Sequence, residues 1–369
     1  MTDTVRRVAV VGFAHMHAGD QIRLIQATPE AELVGVWDTE PSRRDLVADD
    51  LGVPAAHRYD QLEALLAEAA PDIAVVCSTT GEHTGLVELL AARGVHVILE
   101  KPFALTLGDA DRMIAAADAA GTTLVVNWPL AWYPAHLTTQ RLIADGMIGR
   151  VTEVHYYDGN RGPLTHVHDK LERVEPDQAT KAASWWYRPE LGGGSLLDYL
   201  GYGATIATWF RDGELPERLT AITWGGDGLE VDEQSVVAAA YASGLSTFQT
   251  RWGTFSNPWT HQPAPACGFV VVGTAGTITS RDFAPAVQVQ TLEHPEGIAI
   301  PVDAPRPDQT GALPHLLHCL RTDTPPTGPS STATSRKGQQ IVDTAVHSVA
   351  SGRTVALVDA PAAELADQR

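Results

Sequence analysis

Short apolar segments alternate with helical patterns through the first 126 residues of the chain. Four of these segments predict strands rich in valine and isoleucine, at residues 8–11, 32–37, 73–77 and 95–99. Helices are predicted between them, at residues 19–27, 42–51, 62–69 and 84–92. Continuous apolar strands are typical of parallel sheets that helices cover on both faces. The alternation therefore predicts an α/β fold with a doubly wound parallel sheet, as in dinucleotide-binding Rossmann domains.

The loop after the first predicted strand reads GFAHMH at residues 12–17. A Rossmann domain usually carries the glycine fingerprint G-x-G-x-x-G at this place. Gly12 occupies the first position, but Ala14 and His17 replace the second and third glycines. His15 and His17 can donate hydrogen bonds to a cofactor pyrophosphate or a substrate, or they are ordinary surface residues. No metal site is predicted, because neither histidine has a third ligand at a suitable local spacing.

A carboxylate ends the second predicted strand. Asp38 lies where Rossmann domains place an acidic residue that accepts hydrogen bonds from ribose hydroxyls. The alternative role for this residue is a helix or turn cap. Because a carboxylate at this place would repel a 2′-phosphate, the sequence favours NAD, although the nearby Arg43 and Arg44 keep NADP open.

The fourth predicted strand runs into Glu100-Lys101-Pro102. In open parallel sheets, ligands bind at the carboxyl ends of the strands. Partial burial can tune the pKa of a lysine at such an end for proton transfer. Pro102 fixes one backbone dihedral and removes a donor, which can direct the Lys101 side chain into a cleft. The alternative is a solvated lysine in a surface turn.

A second set of candidate proton-transfer residues follows three glycines at residues 192–194. Asp198 and Tyr202 are four residues apart in a predicted helix, so they share one face of it. Near a lysine, these two side chains form a set that can handle protons. Alone, they are an ordinary hydrogen-bonded pair on a helix.

The remainder of the chain is predicted to be rich in strands. Alternating patterns predict strands at residues 151–157, 219–223, 235–241, 247–251, 269–272, 276–279 and 286–291. These strands fit an open antiparallel sheet with one apolar face. Helices are predicted at residues 137–145 and 339–351, and a loop at 322–335. Residues 161–190 form a long irregular segment with paired aromatic residues, which is either a sugar-binding loop or an ordinary capping loop.

Composition narrows the range of partners and compartments. The chain has 45 acidic and 26 basic side chains and a formal charge of −19, so neither nucleic acid nor an anionic membrane would attract it. The spacing of Cys77, Cys267 and Cys319 favours free thiols in a reducing compartment. No membrane-length apolar run or secretion signal is evident, so we expect a cytoplasmic protein without a membrane partner.

Five segments carry motifs that occur together. They are Glu100-Lys101-Pro102, DGMIGRV at 145–151, the glycine-rich stretch 192–202, GTAGT at 273–277 and the region 339–355. As a set they resemble the Gfo/Idh/MocA oxidoreductase family. The resemblance implies a Rossmann domain over residues 1–126 and a C-terminal α/β domain over 127–369, with a large, mostly antiparallel open sheet. It also implies a nicotinamide cofactor, and a homodimer or homotetramer formed through the second sheet.

The resemblance also assigns roles to individual residues. It implies that Lys101 and Asp198 are catalytic, and that Tyr202 is an acid or base where many members have histidine. It places His83 near the nicotinamide. The chain departs from the family in its fingerprint loop and lacks the arginine that is common within residues 128–133.

The expected ligand contacts fall into two groups. The cofactor contacts lie in the fingerprint loop and at the ends of the following strands: Gly12, Phe13, Ala14, His15, Asp38, Thr79, His83, Glu100 and Lys101. The substrate contacts are aromatic or basic: His17, Trp128, Arg161, His166, Trp185 and Tyr187.

Three functions are consistent with the sequence. The first is NAD-dependent oxidation of a secondary hydroxyl of a sugar, glycoside or cyclic polyol, in which Tyr202 or Lys101 takes the hydroxyl proton. The second is a glycosidase or lyase that oxidises its substrate transiently, commonly at C3, eliminates a substituent and reduces the product again with NAD recycled. The third is a non-catalytic sugar or NAD sensor, which the intact proton-transfer residues disfavour.

Overall fold

The computed structural model describes residues 5–165 and 175–359, and two β-sheets organise them. Six parallel strands form the first sheet: β1 (Arg6–Val11), β2 (Ala31–Trp37), β3 (Arg58–Tyr59), β4 (Ile73–Val76), β5 (His96–Glu100) and β6 (Leu124–Asn127). Their spatial order is β3-β2-β1-β4-β5-β6. The order reverses between β1 and β4, which opens a crevice at the carboxyl ends of those two strands.

Helices cover both faces of the first sheet. They are α1 (Ala18–Ala27), α2 (Pro41–Asp50), α3 (Leu62–Ala64, continued by a π-helical turn at Leu65–Ala69), α4 (His83–Ala92) and α5 (Leu107–Ala120). Local sequence sets the ends of α5: the Thr106 side chain accepts a hydrogen bond from the Asp109 N–H, and Gly121 ends the helix at φ +65°. The prediction of a doubly wound parallel sheet is confirmed.

The second sheet has nine strands. They are β7 (Val151–Asn160), β8 (Arg218–Trp224), β9 (Gln234–Tyr241), β10 (Gly244–Trp252), β11 (Gly268–Gly273), β12 (Gly276–Arg281), β13 (Ala286–Thr291), β14 (Ile298–Pro301) and β15 (Val355–Ala356). Their order is β14-β13-β12-β11-β7-β10-β9-β8-β15. β7 and β10 are parallel, and the other neighbouring strands are antiparallel. The prediction of a large, mostly antiparallel sheet is therefore confirmed, with one parallel pair at its centre.

Five more helices complete the described fold: α6 (Pro134–Ala144), α7 (Gln178–Ala183), α8 (Ser195–Phe210), α9 (Ala312–Thr322) and α10 (Thr332–Ser351). α8 packs against β7 and β10 on the apolar face of the second sheet, and α10 packs against α8 and β8. α9 returns to the first sheet, where Leu313 and Leu316 join Val8 and Val10 in one apolar cluster.

Several element bounds differ from the predictions. α10 begins at Thr332, so the predicted loop at 322–335 is shorter and the predicted helix at 339–351 is longer. The Ser331 side chain caps this helix by accepting a hydrogen bond from the Thr334 N–H, whereas a Ser- and Thr-rich segment was predicted to be a loop. α6 begins at Pro134, and proline is compatible with a first helical turn. The sequence predictions omitted the helices α5, α7 and α9 and the strands β3, β6, β14 and β15.

The structure also describes the cysteines and the lengths of the helices. Cys77, Cys267 and Cys319 are buried and free, which confirms the prediction of unpaired thiols. Across residues 5–165 and 175–359, no helix combines the length and the apolar character needed to cross a membrane.

Close packing of α8 on the second sheet depends on Gly203. A Cβ at this position would lie 2.4 Å from Cδ1 of the Tyr156 ring on β7. Tyr156 is 2% exposed, so its ring has little room to move. Since α8 carries Asp198 and Tyr202, the missing side chain of Gly203 helps to set where those two residues lie.

Replacing Gly203 with alanine should destabilise the protein by about 1–3 kcal/mol, because the ring or the helix must shift to admit the methyl group. Gly85→Ala in α4 is the matched control, since a Cβ there meets nothing within 4 Å. We expect that variant to be stabilised by about 0.5–1 kcal/mol, because alanine loses less backbone entropy than glycine. Urea denaturation measures both, and equal effects would contradict the packing role.

Candidate active site

The crevice between β1 and β4 has the close backbone approach that a dinucleotide site needs. Gly12 follows β1 at φ +86°, and a Cβ there would lie 2.6 Å from the Ser78 backbone nitrogen. The His15 N–H donates to the Cys77 carbonyl at 2.9 Å, which ties the loop to the end of β4. A side chain at the first fingerprint position is therefore excluded. α1 begins at Ala18, directly after this loop, as in dinucleotide sites where a helix N-terminus meets the pyrophosphate.

The missing third fingerprint glycine is accommodated by the direction of the His17 side chain. His17 is the N-cap residue of α1, and its Nδ1 lies 3.0 Å from Oε2 of Glu100 at the end of β5. The ring therefore contacts β5, and the small, buried Ala18 and Gly19 follow it at the start of the helix. This arrangement keeps the close helix–sheet contact that the fingerprint glycine usually provides.

Glu100 is fully buried in a set of polar contacts. Its Oε1 accepts hydrogen bonds from the Gln21 side-chain amide at 2.8 Å and the Asn127 side-chain amide at 2.6 Å. Burial alone would raise the pKa of Glu100, but His17, the Asn127 hydrogen bond and the Lys101 charge outweigh burial and lower that pKa. Glu100 is therefore a buried carboxylate that stays ionised at neutral pH.

Asp38 lies just beyond β2, at the expected ribose position, but its carboxylate is already engaged. It accepts hydrogen bonds from the backbone N–H groups of Phe13 and Glu40, and Arg43 donates to it at 2.7 Å. Arg44 points elsewhere and bonds to Asp60 and to the Tyr59 carbonyl. Of the two arginines, Arg43 is therefore the one placed beside the expected ribose site.

Thr79 and His83 follow β4. The Thr79 hydroxyl and N–H both donate to the Glu82 carboxylate, which caps the turn before α4. His83 is 1% exposed, and its Nδ1 lies 3.2 Å from the Phe103 carbonyl oxygen. Burial lowers the pKa of His83 to about 4, so the imidazole is neutral at physiological pH.

The structure brings Lys101 and Asp198 together from the two sheets. The Lys101 Nζ donates a hydrogen bond to Oδ1 of Asp198, and Oδ2 accepts one from the Trp252 indole N–H at 3.0 Å. The ammonium also lies 5.5 Å from the ring centroids of Trp186 and Tyr202. The Lys101–Pro102 peptide bond is cis. Asp198 lies in the first turn of α8, where the helix dipole favours a negative charge.

Tyr202 lies one turn further along α8. It is 3% exposed, and its ring packs edge-on against Trp128 with centroids 5.5 Å apart. Burial raises the pKa of Tyr202 well above its usual value, so the phenol is protonated at neutral pH. Its hydroxyl makes no hydrogen bond to another described residue, which leaves it available to a ligand in the cavity that it lines.

Lys101, Asp198 and Tyr202 share a cavity of about 340 Å³ between the two sheets. This volume is within the range of small-molecule sites. Polar residues that the sequence analysis did not identify complete the wall: Gln21, Asn127, Asp158, Asn160 and Asp282. Asp158 and Asn160 come at the end of β7, directly after the predicted strand at 151–157, which was the available signal.

Asp158 differs from the other carboxyl groups of the cavity in its ionisation. Its oxygens accept hydrogen bonds from the Tyr156 hydroxyl at 2.9 Å and the Gly159 N–H at 2.7 Å. Burial and the neighbouring Asp282 raise the pKa of Asp158 to about 8. Asp282 is itself bonded to His136, with Oδ1 and Nε2 2.8 Å apart. The cavity therefore holds a carboxyl group that is protonated at neutral pH.

Several predicted substrate contacts lie elsewhere. Trp128 is 1% exposed and donates to Ser335, so it belongs to the core, while His17 does line the cavity. The other aromatic and basic candidates bond outside the cavity wall: Trp185 to the Ala14 carbonyl, Tyr187 to Glu233, and Arg161 to Glu175. His166 lies outside the described residues.

The Trp185 contact links the aromatic segment to the fingerprint loop. The Trp185 indole N–H donates to the Ala14 carbonyl at 3.0 Å, and the Trp185 and Trp186 rings stack at 3.9 Å. Trp185, in the segment predicted to be either a binding loop or a capping loop, therefore lies against the fingerprint loop. This position fits contact with a cofactor better than contact with a substrate in the cavity.

Comparisons with known proteins agree with this architecture. Residues 6–128 match the family model described as "Oxidoreductase family, NAD-binding Rossmann fold", and residues 136–279 match the "GFO/IDH/MocA C-terminal domain". The chain is 31% identical over 288 residues to 1,5-anhydro-D-fructose reductase from Ensifer adhaerens, covering 76% of this chain and 78% of that protein.

Two further comparisons show the range of similarity. The chain is 35% identical over 155 residues to D-apiose dehydrogenase from Paraburkholderia graminis, covering 40% of this chain and 39% of that protein, so it spans less than half of that relative. The WlbA dehydrogenase from Bordetella pertussis, solved with NADH and UDP-GlcNAcA, shares the fold at a TM-score of 0.76 and 20% identity, covering 98% of this chain and 100% of that one.

The fold and the site define a two-domain oxidoreductase in which a Rossmann domain faces an open sheet across a cavity. The chain belongs to the Gfo/Idh/MocA oxidoreductase family, and its first domain is the family's NAD-binding Rossmann domain.

The raised pKa of Asp158 gives a prediction about pH. Between its usual value of 3.8 and about 8, folded protein holds a proton on Asp158 that unfolded protein does not. Stability from this group is therefore fully present at low pH and is lost as pH rises toward 8. Asp158→Asn cannot ionise, so wild type should lose stability relative to the variant between about pH 5 and 8. Urea denaturation across this range measures the difference, and a constant difference would mean that Asp158 is ionised throughout.

Proposed function

We propose that this protein is an NAD-dependent dehydrogenase that acts on a secondary hydroxyl of a sugar or cyclic polyol. The observation that carries the proposal is the placement of the Lys101–Asp198 pair and the free Tyr202 hydroxyl in one cavity at the carboxyl end of the first sheet. Oxidation of an alcohol needs a group that accepts the hydroxyl proton while a hydride leaves the carbon. The site supplies that group beside the nucleotide-binding crevice.

The substrate class rests on the relatives and on the cavity wall. The relatives named above act on D-apiose and 1,5-anhydro-D-fructose by their names, which are small polyhydroxylated compounds. The wall of the cavity offers carboxyl, carboxamide and hydroxyl groups next to aromatic rings. Such a surface can bond to sugar hydroxyls and pack against the apolar face of a sugar ring.

The residues around the crevice fit NAD. The backbone at Gly12 leaves no room for a side chain, the N-terminus of α1 can face a pyrophosphate, and Asp38 lies at the ribose position. NAD, when bound, supplies the hydride acceptor. Arg43 lies beside Asp38 and would meet a 2′-phosphate, so NADP remains an alternative cofactor.

Lys101 and Tyr202 have different roles in the proposed proton transfer. Lys101 is positioned by Asp198 and is close enough to Tyr202 to stabilise its phenolate. We assign Tyr202 as the group that bonds to the substrate oxygen. Its protonated hydroxyl donates the proton to that oxygen in the reduction direction, and in the oxidation direction its phenolate takes the hydroxyl proton. Lys101 is the cation that stabilises this phenolate. Asp198 is a positioning residue, because its two oxygens bond to Lys101 and Trp252.

Asp158 favours a second candidate function. A carboxyl group that is protonated at neutral pH can donate a proton to a leaving alkoxide. After transient oxidation of a glycoside, the C–H next to the new ketone becomes acidic, and loss of that proton with the protonated leaving group completes an elimination. Water addition and reduction by the same NADH would then give a glycosidase or lyase with no net redox change.

The outer face of the second sheet supports a homo-oligomer. Ile222 on β8 and Val236 on β9 are paired neighbours there and are 69% and 49% exposed, and Trp224, two residues beyond Ile222 on β8, is 59% exposed. Exposed apolar groups of this size and proximity are typical of interfaces. We expect a mass above the 39.4 kDa of the monomer in sedimentation velocity, and Ile222→Asp should shift it toward the monomer. A monomeric wild type would rule out this interface.

Lys101→Met should lower turnover by at least about 10²-fold, the usual contribution of an acid–base group, while NAD binding is largely kept. Lys337→Met is the matched control, because Lys337 bonds to the Gly213 carbonyl and does not line the cavity. NADH formation over a panel of sugars and glycosides measures turnover, and calorimetry with NAD measures binding.

Near-normal turnover in the Lys101 variant would remove Lys101 from the mechanism. Consumption of a glycoside without NADH accumulation would favour the second candidate function. In D₂O that reaction would also place deuterium on the carbon next to the oxidised one. NAD binding without sugar oxidation and without glycoside cleavage would support the hypothesis of a non-catalytic sensor.

A further inference from the structure

His15, His17 and Glu100 form a cluster at the start of α1 and the end of β5. One ring nitrogen of each histidine and one carboxylate oxygen of Glu100 all lie within 4.8 Å of one another. His15 and Glu100 are 1% and 0% exposed, and His17 lines the cavity. We propose that these three residues form a binding site for one divalent transition-metal ion of the zinc type.

The donor set determines the class of ion. Two imidazole nitrogens and one carboxylate oxygen are the ligands of many three-residue zinc sites, which keep a fourth position for water or substrate. Magnesium and calcium prefer all-oxygen ligands and more of them. The site is therefore specific for ions such as Zn²⁺, Co²⁺ and Ni²⁺, which bind imidazole well.

The distances are close to those that an ion requires. Tetrahedral zinc with bonds near 2.0 Å places its ligand atoms about 3.3 Å apart. His17 Nδ1 and Glu100 Oε2 are already 3.0 Å apart, so an ion between them needs a small outward movement. His15 lies against His17 with ring centroids 4.4 Å apart, and one of its ring nitrogens is within 4.8 Å of both other ligand atoms.

The surroundings of Glu100 orient one oxygen toward the histidines. The amides of Gln21 and Asn127 both donate to Oε1, which leaves Oε2 directed at His17. Hydrogen-bond donors behind a ligating carboxylate fix its orientation, and their mutation typically lowers metal affinity by about 10–100-fold.

The site also accounts for the unusual fingerprint loop. A dinucleotide fingerprint needs no imidazole at residues 15 and 17, yet both histidines are directed to one buried carboxylate. A cation there offsets the charge of Glu100 next to the crevice, where an anionic pyrophosphate binds at the N-terminus of α1. Since His17 lines the cavity, water or a ligand oxygen can reach the fourth position from that side.

Metal content tests the proposal directly. The full-length protein is treated with chelator, dialysed against Zn²⁺ alone and analysed by mass spectrometry of the bound metal. We expect one equivalent in wild type, and at least about tenfold weaker binding in His17→Gln, which retains a hydrogen-bonding side chain toward Glu100. His294→Ala is the control, because His294 is exposed in the β13–β14 hairpin, and it should keep the full equivalent.

Cobalt gives a readout that does not depend on activity. Wild type and His294→Ala should show the visible absorption of Co²⁺ at a site with nitrogen ligands, and His17→Gln and Glu100→Gln should lose it. Thermal unfolding confirms that each variant is folded before it is compared. A wild type with no more bound metal than His17→Gln would overturn the proposal and leave a plain His17–Glu100 ion pair. Full binding in His17→Gln would overturn it as well.

Discussion

The buried ion pair between Lys101 and Asp198 connects the two sheets at the cavity. Lys101 follows β5 of the first sheet, and Asp198 lies in α8, which packs on the second. Their side chains are 5% and 4% exposed, and removing one partner of such a buried pair typically costs about 3–5 kcal/mol. Trp252 and the surrounding aromatic rings offset the cost of taking the two charges out of water. The relative position of the two sheets, and with it the shape of the cavity, depends on this contact.

Neighbouring groups give the buried carboxyl groups of Glu100 and Asp158 opposite ionisation states at neutral pH. Glu100 is ionised, because His17, the Asn127 amide and the Lys101 charge lower its pKa by more than burial raises it. Asp158 is protonated at neutral pH, because it is buried next to Asp282. The same side-chain chemistry thus supplies a fixed negative charge at the fingerprint loop and a proton donor in the cavity. Environment, more than residue type, decides what each group can contribute to the chemistry.

Local sequence patterns predicted most of the fold. Four strands of the first sheet, β1, β2, β4 and β5, are apolar runs, and they were predicted together with the helices α1 to α4, whereas β3, β6 and α5 were not predicted. The site was predictable only in part. Lys101, Asp198 and Tyr202 were identified by their motifs and do meet, whereas Trp128 was expected in the substrate site and lies in the core. An aromatic residue next to prolines looks the same in sequence whether it packs inward or lines a cavity.

Three features could be predicted from residues that are near one another in the chain. They are the alternation of strands and helices, the glycines that permit close backbone approach, and the position of Lys101 directly after β5. Contacts between polar groups from distant segments, in contrast, depend on tertiary packing. It brought Glu100 to two histidines 83 and 85 residues earlier in the chain, and placed Asp282, which directly follows β12, beside Asp158 from β7. Burial and charge act through space, so the ionisation of these groups follows from the packing of distant segments and not from their local sequence.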